Sequence, residues 1–349
     1  MAGSLGDCEL RLLRDLVAAY SPSGEERPAV EWLCRTLGDW GLTARIDEVG
    51  NFVGERGEGP PVVCFLGHID TVGGEIAVRE EAGRLYGRGT VDAKGPLAAA
   101  VCAMARLPRD LAKRIVVVGA VEEECPTSRG ARHVVNRLQP DFAIIGEPSR
   151  WDRITIGYKG ILHYRYTLQR PRAHGAAQDR SPATDAALHL AGVLEKARDF
   201  GKSDSPFEAL LVNVRTMATE HDAFTERVTA TVDVRLPPSV DPDEFERETR
   251  RRASDAEIEV IEKLPAVVCD KNTALVRRFL TAIRSAGGQP RFVFKTGTSD
   301  MNVVAPLWKC PTVAYGPGDS TLDHTPDEHV EIEEYRKAIE VIEAVFRGL

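Results

Sequence analysis

The chain lacks the features that mark several large classes of protein. No apolar run approaches the roughly 20 residues that span a bilayer, so no membrane helix is expected. The first residues, from Met1 to Leu16, carry early acidic groups and no apolar core, which is not the pattern of a secretory signal. Aromatic residues make up only 6% of the chain and no long basic tract is present, so nucleic acid is not an expected partner.

Cysteine is also sparse, and the cysteines do not occur in closely spaced pairs. The seven cysteines are scattered singly, which argues against a disulfide framework and for a reducing compartment, so we expect a cytoplasmic protein. No Cys-x-x-Cys pair occurs, which disfavours a thiolate zinc site. The formal charge of -8 likewise gives no reason to expect nucleic acid as partner.

The chain is rich in apolar segments at strand and helix spacing. Its 349 residues, 43% of them hydrophobic, exceed what one domain usually needs, so two domains are expected. Short apolar strands alternate with helical patterns in the first 158 residues and again after 266, which predicts a doubly wound α/β domain with a mixed sheet. The main predicted strands are Val62–Leu66, Arg114–Val121 and Asp141–Ile145, and the main helices are Cys8–Tyr20, Glu26–Trp40, Ala93–Leu107, Thr273–Ala286 and Glu331–Phe346.

Residues 159–265 have a different pattern. Alternating strands and two helices follow one another in β-α-β-β-α-β order, which is typical of a ferredoxin-like α+β sandwich. The predicted elements are Ile161–Leu168, Ala183–Phe200, Leu210–Met217, Val228–Leu236, Asp241–Ala253 and Ala256–Glu262. We therefore expect a small domain, 159–265, inserted into a large one formed by 1–158 and 266–349.

Polar side chains follow the predicted strands of the large domain. They are His68, Asp70, Asp92, the acidic run 122–124, Glu147 and, on a glycine-rich loop, His324. Taken singly, each is readily explained as a structural histidine, a solvated turn or a helix cap. Ligands bind beyond the carboxyl ends of strands in open α/β sheets, and carboxylates crowded there repel one another unless a cation lies among them. Together these residues predict a site for two zinc-like ions.

The chemistry of such a site assigns each residue a role. Asp92 is the natural bridging ligand, with His68 and Glu147 on one ion and Glu124 and His324 on the other. Two ions roughly 3.5–4 Å apart make water a nucleophile near neutral pH, and a general base must take its proton. One glutamate of the run 122–124 can ligate while its neighbour acts as this base. Asp70 is placed to orient the His68 imidazole.

These motifs resemble those of a known family. GHIDTV, GRGTVDAKG, the EEE run, GEPS and the late HTPDE loop are similar, in that order, to the dinuclear zinc amidohydrolases and peptidases that include acetylornithine deacetylase and succinyl-diaminopimelate desuccinylase. The resemblance implies a zinc-exopeptidase-like catalytic domain with an inserted dimerisation domain, hence a homodimer, and two divalent ions, zinc most readily and cobalt as an alternative. It also favours Glu123 as general base beside the ligand Glu124, with Glu122 as base and Glu123 as ligand remaining the alternative assignment.

The resemblance extends to residues of the small domain. It implies that His174 stabilises the oxyanion from the partner subunit, although the proline that usually follows it comes late here, at Pro182. It also implies that substrate carboxylate is held by Arg235, Asn213, Gly297 and Thr298. A structural ion pair with Asp233 explains Arg235 equally well.

Within the family, the short chain, the region around 120–131 and the IGYKG motif look most like hydrolases that release lysine, and sometimes ornithine, from the C-terminal glutamate of a small acidic amino-group carrier protein in lysine and arginine biosynthesis. Deacylation of a small N-acyl amino acid is the alternative reaction, and a catalytically silent dimeric binding protein is the alternative of another class. Arginine clusters at 106–114, 250–252 and 277–278 are candidates for carrier approach, unless they only solubilise the surface.

Overall fold

The computed structural model describes residues 5–174, 176, 180–200 and 205–349. They form two compact units. The first contains the described residues up to 157 together with 269–294 and 299–349, and the second contains those of 158–268 with 295–298. Residues 295–298, placed with the large domain in the sequence analysis, belong to the second unit, where Lys159 donates its backbone N–H to the Lys295 carbonyl, at 3.2 Å.

The elements are numbered along the chain. The helices are α1 (Leu5–Ala18), α2 (Arg27–Asp39), α3 (Lys94–Ala105), α4 (Arg129–Val135), α5 (Pro182–Phe200), α6 (Pro242–Arg252), α7 (Ala274–Ser285), α8 (Asp300–Trp308) and α9 (Ile332–Gly348). The strands are β1 (Thr43–Ile46), β2 (Phe52–Arg56), β3 (Val62–His68), β4 (Arg79–Glu81), β5 (Arg84–Tyr86), β6 (Arg114–Ala120), β7 (Phe142–Gly146), β8 (Arg153–Tyr158), β9 (Gly160–Pro171), β10 (Leu211–His221), β11 (Thr225–Leu236), β12 (Glu257–Leu264), β13 (Val267–Val268), β14 (Arg291–Lys295), β15 (Thr312–Ala314) and β16 (His329–Glu331). Among these described segments, no helix is both long and apolar enough to cross a membrane.

The first unit is built around a mixed sheet with the order β1-β2-β6-β3-β7-β15-β8. The central strands β6, β3, β7 and β15 are parallel neighbours, whereas β1, β2 and β8 pair in antiparallel fashion. The central strands are apolar almost throughout because helices cover both faces of a parallel sheet. The predicted doubly wound mixed sheet is confirmed.

Helix α3 lies in the middle of this unit. Its residues from Lys94 to Met104 are buried on every side, which explains why alanine and other small residues occupy the whole circumference. The helix packs against α9 and against strands β3 and β6 of the sheet. Its first turn closely follows Asp92, so a completely buried helix anchors one of the predicted ligands.

A second, smaller sheet in the first unit was not predicted. Strand β5 pairs with β4 and also with β16, although Arg84 of β5 and Glu331 of β16 are 247 positions apart in the sequence. In this pairing Leu85 lies opposite Val330 and Tyr86 opposite His329. The strands are only three residues long, too short for the alternating pattern that identifies strands in a sequence. This sheet brings the segment before Asp92 against the segment after His324.

The second unit is an antiparallel sheet with the order β10-β11-β9-β12, against which α5 and α6 pack. Its core is formed by residues such as Tyr164, Val232 and Phe245. The predicted β-α-β-β-α-β succession is confirmed by the order of these elements along the chain. Strand β10 is an edge strand, and most of its side chains are exposed.

Two helices of the first unit escaped prediction for physical reasons. Helix α4 has only seven residues, fewer than two apolar repeats. Helix α8 contains Pro306 in its interior, which normally indicates a helix end. Its start is marked instead by a capping box in which Ser299 and Asn302 exchange side-chain and backbone hydrogen bonds.

Candidate metal centre

Four parallel strands of the first unit end at one edge of the sheet. β3 ends at His68, β6 leads into the acidic run 122–124, β7 leads to Glu147, and β15 leads into the loop that carries His324. Because neighbouring parallel strands run in one direction, their carboxyl ends meet at the same edge. This arrangement collects residues that lie far apart in the sequence.

His68 lies at the centre of the cluster and is almost completely buried. Its Nε2 is 3.2 Å from Asp92 Oδ1. Its Nδ1 is 3.0 Å from the backbone carbonyl of Asp70 and 3.4 Å from the Asp70 carboxylate. A histidine whose Nδ1–H donates to such a group presents a neutral Nε2, which is the arrangement found for imidazoles that ligate metals.

Asp92 lies between two imidazoles. While Oδ1 faces His68, Oδ2 is 3.1 Å from His324 Nε2. The same His324 nitrogen is 3.0 Å from Glu124 Oε1. Ligand atoms of His68, Asp92 and Glu124 all lie within 4.8 Å of one another. Asp92 therefore has the position that a carboxylate bridging two ions requires.

The turn that carries the acidic run is held by side chains. Four consecutive backbone N–H groups, those of residues 121–124, each donate to a side-chain oxygen. The acceptors are, in order, Asn51, Glu26 and, for the last two, Asp70, at 3.0, 3.1, 3.1 and 3.1 Å. Gly130 packs so closely against this turn that no side chain fits, since a Cβ there would lie 2.5 Å from the Asn51 side chain. Asp70 thus positions two carboxylates of the site as well as His68.

The three glutamates of this turn point in different directions. Glu122 has a φ of +58°, and its carboxylate pairs with Arg129 at 2.9 Å and accepts a hydrogen bond from Thr127 at 2.8 Å. Glu123 instead approaches His68, with 3.9 Å between Oε2 and Nε2. Glu124 contacts His324. Of the three, Glu123 and Glu124 face the cluster.

Two further buried carboxylates lie close enough to interact electrostatically with this cluster. Glu147 is buried beyond the end of β7 and interacts with Asp92 and His68. Asp300, at the start of α8, is 2% exposed, and neither of its oxygens accepts a hydrogen bond from a described residue. Sequence reasoning did not single out Asp300. The sequence signal that could have identified Asp300 is its position directly after Ser299, the residue that caps α8.

The potential in the cluster is strongly negative. Burial, reinforced by neighbouring carboxylates, raises the pKa of Glu123 and Glu147 well above their usual values. Burial likewise raises the pKa of Asp300 to about 7. The hydrogen bonds to Asp92 and Glu124 raise the pKa of His324 to about 10. Burial opposes the charged form of His68, but Glu123, Asp70 and Asp92 outweigh it and raise the pKa of His68 well above its usual value.

These observations test whether metal ions suit the residues. Carboxylate oxygens and imidazole nitrogens, without a thiolate, are the donor set of zinc and similar divalent ions. So many buried carboxylates are costly unless cations compensate them. Burial opposes the charged form of Asp92, but the hydrogen bonds from His324 and His68 outweigh burial and lower the pKa of Asp92, as expected for a carboxylate that faces positive charge on both sides. The residues fit.

A second group with ligand-like spacing has a structural explanation. Asp47, Glu48 and His133 lie close enough to share an ion. However, Asp47 Oδ1 already accepts three backbone N–H groups of its own turn, and His133 Nε2 pairs directly with Glu48 at 2.9 Å. This group holds the turn between β1 and β2.

The residues predicted to contact substrate lie in the second unit. Arg235 forms an ion pair with Asp233, at 2.9 and 3.0 Å, and donates to the Thr298 hydroxyl at 3.1 Å. Asn213 is exposed and lies opposite Asp233 in the β10–β11 register. Gly297 has open space where a Cβ would lie. His174 is exposed, and its Nδ1 accepts the backbone N–H of Ala176 at 3.2 Å.

A mixed α/β sheet with this cluster of histidines and carboxylates at its carboxyl edge is the architecture of a metal-dependent hydrolase. The chain belongs to peptidase family M20/M25/M40, whose sequence profile matches residues 64–348.

Comparisons with individual proteins agree with this family. A [LysW]-lysine hydrolase from Deinococcus radiodurans is 43% identical over 347 residues, covering 97% of this chain and 96% of that protein. A [LysW]-lysine/[LysW]-ornithine hydrolase from Sulfurisphaera tokodaii is 29% identical, covering 93% and 90%. The fold matches the crystal structure of an M20 family metallo-carboxypeptidase, Sso-CP2 from Sulfolobus solfataricus, with a TM-score of 0.81 at 20% identity, covering 97% and 98%.

Proposed function

We propose that this protein hydrolyses the amide that joins lysine, with ornithine as a further candidate, to the C-terminal glutamate of a small acidic amino-group carrier protein of the LysW type. The near full-length similarity to a [LysW]-lysine hydrolase supports the substrate. The position of Asp92 between His68 and His324, with Glu123 alongside, is the observation that carries the reaction type.

The proposed centre holds two divalent ions, zinc by preference and cobalt as a substitute. His68 and Glu147 would hold one, Glu124 and His324 the other, and Asp92 would bridge them. When bound, such ions polarise the scissile carbonyl and lower the pKa of water. His68 offers Nε2 to this centre because Asp70 occupies its Nδ1.

Glu123 is the proposed general base. Its carboxylate lies beside His68 and accepts no hydrogen bond from any arginine or lysine among the described residues, in contrast to Glu122, which is paired with Arg129. Glu123 takes a proton from the attacking water and passes it to the leaving lysine nitrogen. Asp70 accepts the Glu123 backbone N–H and so orients the base.

The second unit supplies the proposed substrate contacts. Arg235, Asn213, Gly297 and Thr298 would hold a carboxylate of the substrate, and His174 of a partner subunit would stabilise the oxyanion. The guanidinium of Arg235 uses one edge for Asp233 and directs Nη1 towards Thr298. This leaves N–H groups on the terminal nitrogens to bind a carboxylate. The structural ion pair and the binding role are therefore compatible.

A homodimer formed through the second unit is part of this proposal. β10 is an edge strand whose backbone groups on one side lack a strand partner within the described sheet. Val214 and Met217 on β10 and Leu188 and Leu194 on α5 are exposed apolar side chains, which a partner would bury. Sedimentation of the wild-type protein and of Met217→Glu tests this assembly. A wild-type protein that sediments as a monomer at assay concentration would exclude it.

The experiment that tests the function is a substrate panel with zinc-reconstituted protein. It compares lysine and ornithine linked to the carrier with N-acetylornithine, N-succinyl-diaminopimelate and a dipeptide. We expect the highest kcat/KM with carrier-linked lysine, and an increase in KM with salt for the carrier substrate alone, since Arg251 and Arg109 lie at the surface without an ion pair to a described residue. A higher kcat/KM with a small acylated amino acid would mean that this compound, and not the carrier-linked lysine, is the substrate. No turnover of any compound in the panel would favour a binding protein.

A further inference from the structure

A buried ion pair lies beside the proposed metal centre and contacts both the turn that carries Asp92 and the loop that carries His324. Arg88 Nη1 and Glu328 Oε2 are 2.8 Å apart, with side chains 8% and 0% exposed. Neither residue belongs to the proposed ligands or to the proposed base. A buried pair of this kind needs a reason, because the desolvation of both charges opposes its formation.

The contacts of Glu328 supply a reason for this buried pair. Its Oε1 accepts the backbone N–H groups of Gly89, Val91 and Asp92, at 2.9, 2.9 and 3.2 Å. One carboxylate therefore holds the whole turn that ends in the bridging residue Asp92. Asp70 does the same for Glu123 and Glu124 on the other side of the site.

The contacts of Arg88 reach the opposite ligand. Its Nη1 also donates to the carbonyl of Thr325, at 3.2 Å, and Thr325 directly follows His324. Its Nε donates to the Gly74 carbonyl at 3.0 Å, which fixes the guanidinium in place. The pair thus joins the turn before Asp92 to the loop of His324. This link matters for a ligand whose side chain is 50% exposed and whose backbone φ is +62°.

We propose that Arg88 and Glu328 are positioning residues of the metal centre: they fix the separation between Asp92 and His324 and so determine how firmly the ion between Asp92, Glu124 and His324 is retained. The inference rests on the proposed two-ion centre. Residues that orient metal ligands typically contribute about 10–100-fold to metal affinity, and we expect an effect in that range.

The two substitutions that test this remove different parts of the pair. Glu328→Gln keeps the shape of the side chain, but an amide cannot accept from three backbone N–H groups on one side and from a guanidinium on the other. Arg88→Met keeps the apolar stem and the three bonds to Glu328 Oε1, and removes the link to Thr325. Both variants should release the ion near His324 about 10–100-fold faster than wild type to a chromogenic chelator, while the other ion is lost later.

The chain contains a matched control. Arg84 and Glu331 form an ion pair of 2.7 Å between the same two segments, but both side chains are 43% exposed and neither contacts the turn of Asp92 or the loop of His324. Arg84→Met and Glu331→Gln should release metal at the wild-type rate. Electron paramagnetic resonance of the manganese-loaded proteins gives a second readout, because a coupled pair of ions in wild type should be replaced by isolated ions in Glu328→Gln.

The outcomes separate the inference from the function on which it rests. If wild type retains fewer than two ions, the two-ion centre itself is wrong. If wild type retains two and both variants release them at the wild-type rate, the centre stands and the positioning role is wrong. A variant whose metal-free form melts at a lower temperature but whose release rate is unchanged would also overturn the proposal, since it would show a purely structural pair. If Glu328→Gln does not fold, Arg88→Met decides the question.

Discussion

His324 Nε2 lies 3.0 Å from Glu124 Oε1, although 200 positions separate the two residues along the chain. The same nitrogen lies 3.1 Å from Asp92 Oδ2. The side chain of His324 comes from a loop and is half-exposed, whereas the side chain of His68 lies at the end of a buried strand and is almost completely buried. The two imidazoles would therefore hold the proposed ions under different conditions, and the loss of each imidazole should have different consequences.

Replacing His324 should remove one ion and leave the other. We expect His324→Ala to bind one zinc instead of two, with catalytic loss, because Asp92, His68 and Glu147 remain for the first ion. His329→Ala is the control, since His329 stacks near Tyr86 on the neighbouring strand and contacts none of these ligands. Elemental analysis after gel filtration measures the ratio. Two ions retained by His324→Ala would contradict the assignment.

Glu123 and Glu122 form a matched pair for testing the base. We expect Glu123→Gln to lose roughly 10²–10⁴-fold in kcat while keeping its metal, since only the proton transfer is removed. Glu122→Gln should stay within a few-fold of wild type, because its carboxylate points to Arg129 and Thr127. Steady-state kinetics on one substrate with parallel metal analysis distinguishes them. The reverse pattern would identify Glu122 as the base.

Asp70 should matter to both metal retention and turnover. Asp70→Asn would place an amide NH2 against at least one of the N–H groups of Glu123 and Glu124, and we expect a loss of about 10–100-fold in metal affinity or activity. Asp222→Asn makes the same change in an exposed turn of the second unit, where Asp222 accepts the N–H groups of Phe224 and Thr225. Metal titration and kcat/KM of both variants give the comparison. Equal behaviour of the two variants would mean that Asp70 has no special role.

Asp300 should make the metal-free protein sensitive to pH. Its pKa is about 7 in the folded chain against 3.8 ordinarily, because burial penalises the charged form. Between these values the folded state binds more protons than the unfolded state, so the contribution of Asp300 to the free energy of unfolding falls as pH rises. Asp300→Asn removes this penalty, which amounts to about 1.4 kcal/mol for each pKa unit.

The measurement is urea unfolding of chelator-treated wild type and Asp300→Asn between pH 5 and pH 8. The variant should become progressively more stable than wild type from pH 5 to about pH 7, and the difference should then level off towards pH 8. Asp39→Asn, at the exposed end of α2, should keep a constant difference from wild type. A constant or narrowing difference for Asp300→Asn would show that the Asp300 carboxylate is not destabilised in the fold.

Much of this organisation follows from local patterns. The β-branched runs of β3 and β6 are buried on both faces, so their continuous apolar character predicts central parallel strands. Parallel strands bring their carboxyl ends together, and this is why the sequence alone predicts one centre for residues as distant as His68, Glu124 and His324. The alternating strands of the second unit are equally legible, because one face of that sheet packs on helices.

Other features have no periodic signal. The short strands β5 and β16 are joined by pairing across most of the chain, and their three residues carry no pattern of their own. The direction of Glu122 depends on a left-handed backbone and on Arg129, so adjacent glutamates of identical type could not be told apart from sequence.

The amino-acid sequence by itself determined the long helices and strands, their order, and which chemically suitable side chains end the central strands. Only the tertiary structure decided how these side chains are held. Glu26, Asn51, Asp70 and Glu328 each accept backbone N–H groups of turns that carry or adjoin the proposed ligands. The physical reason is that buried N–H groups must find acceptors, and the acceptor nearest to a turn in space depends on how distant segments pack rather than on the residues beside it in the chain.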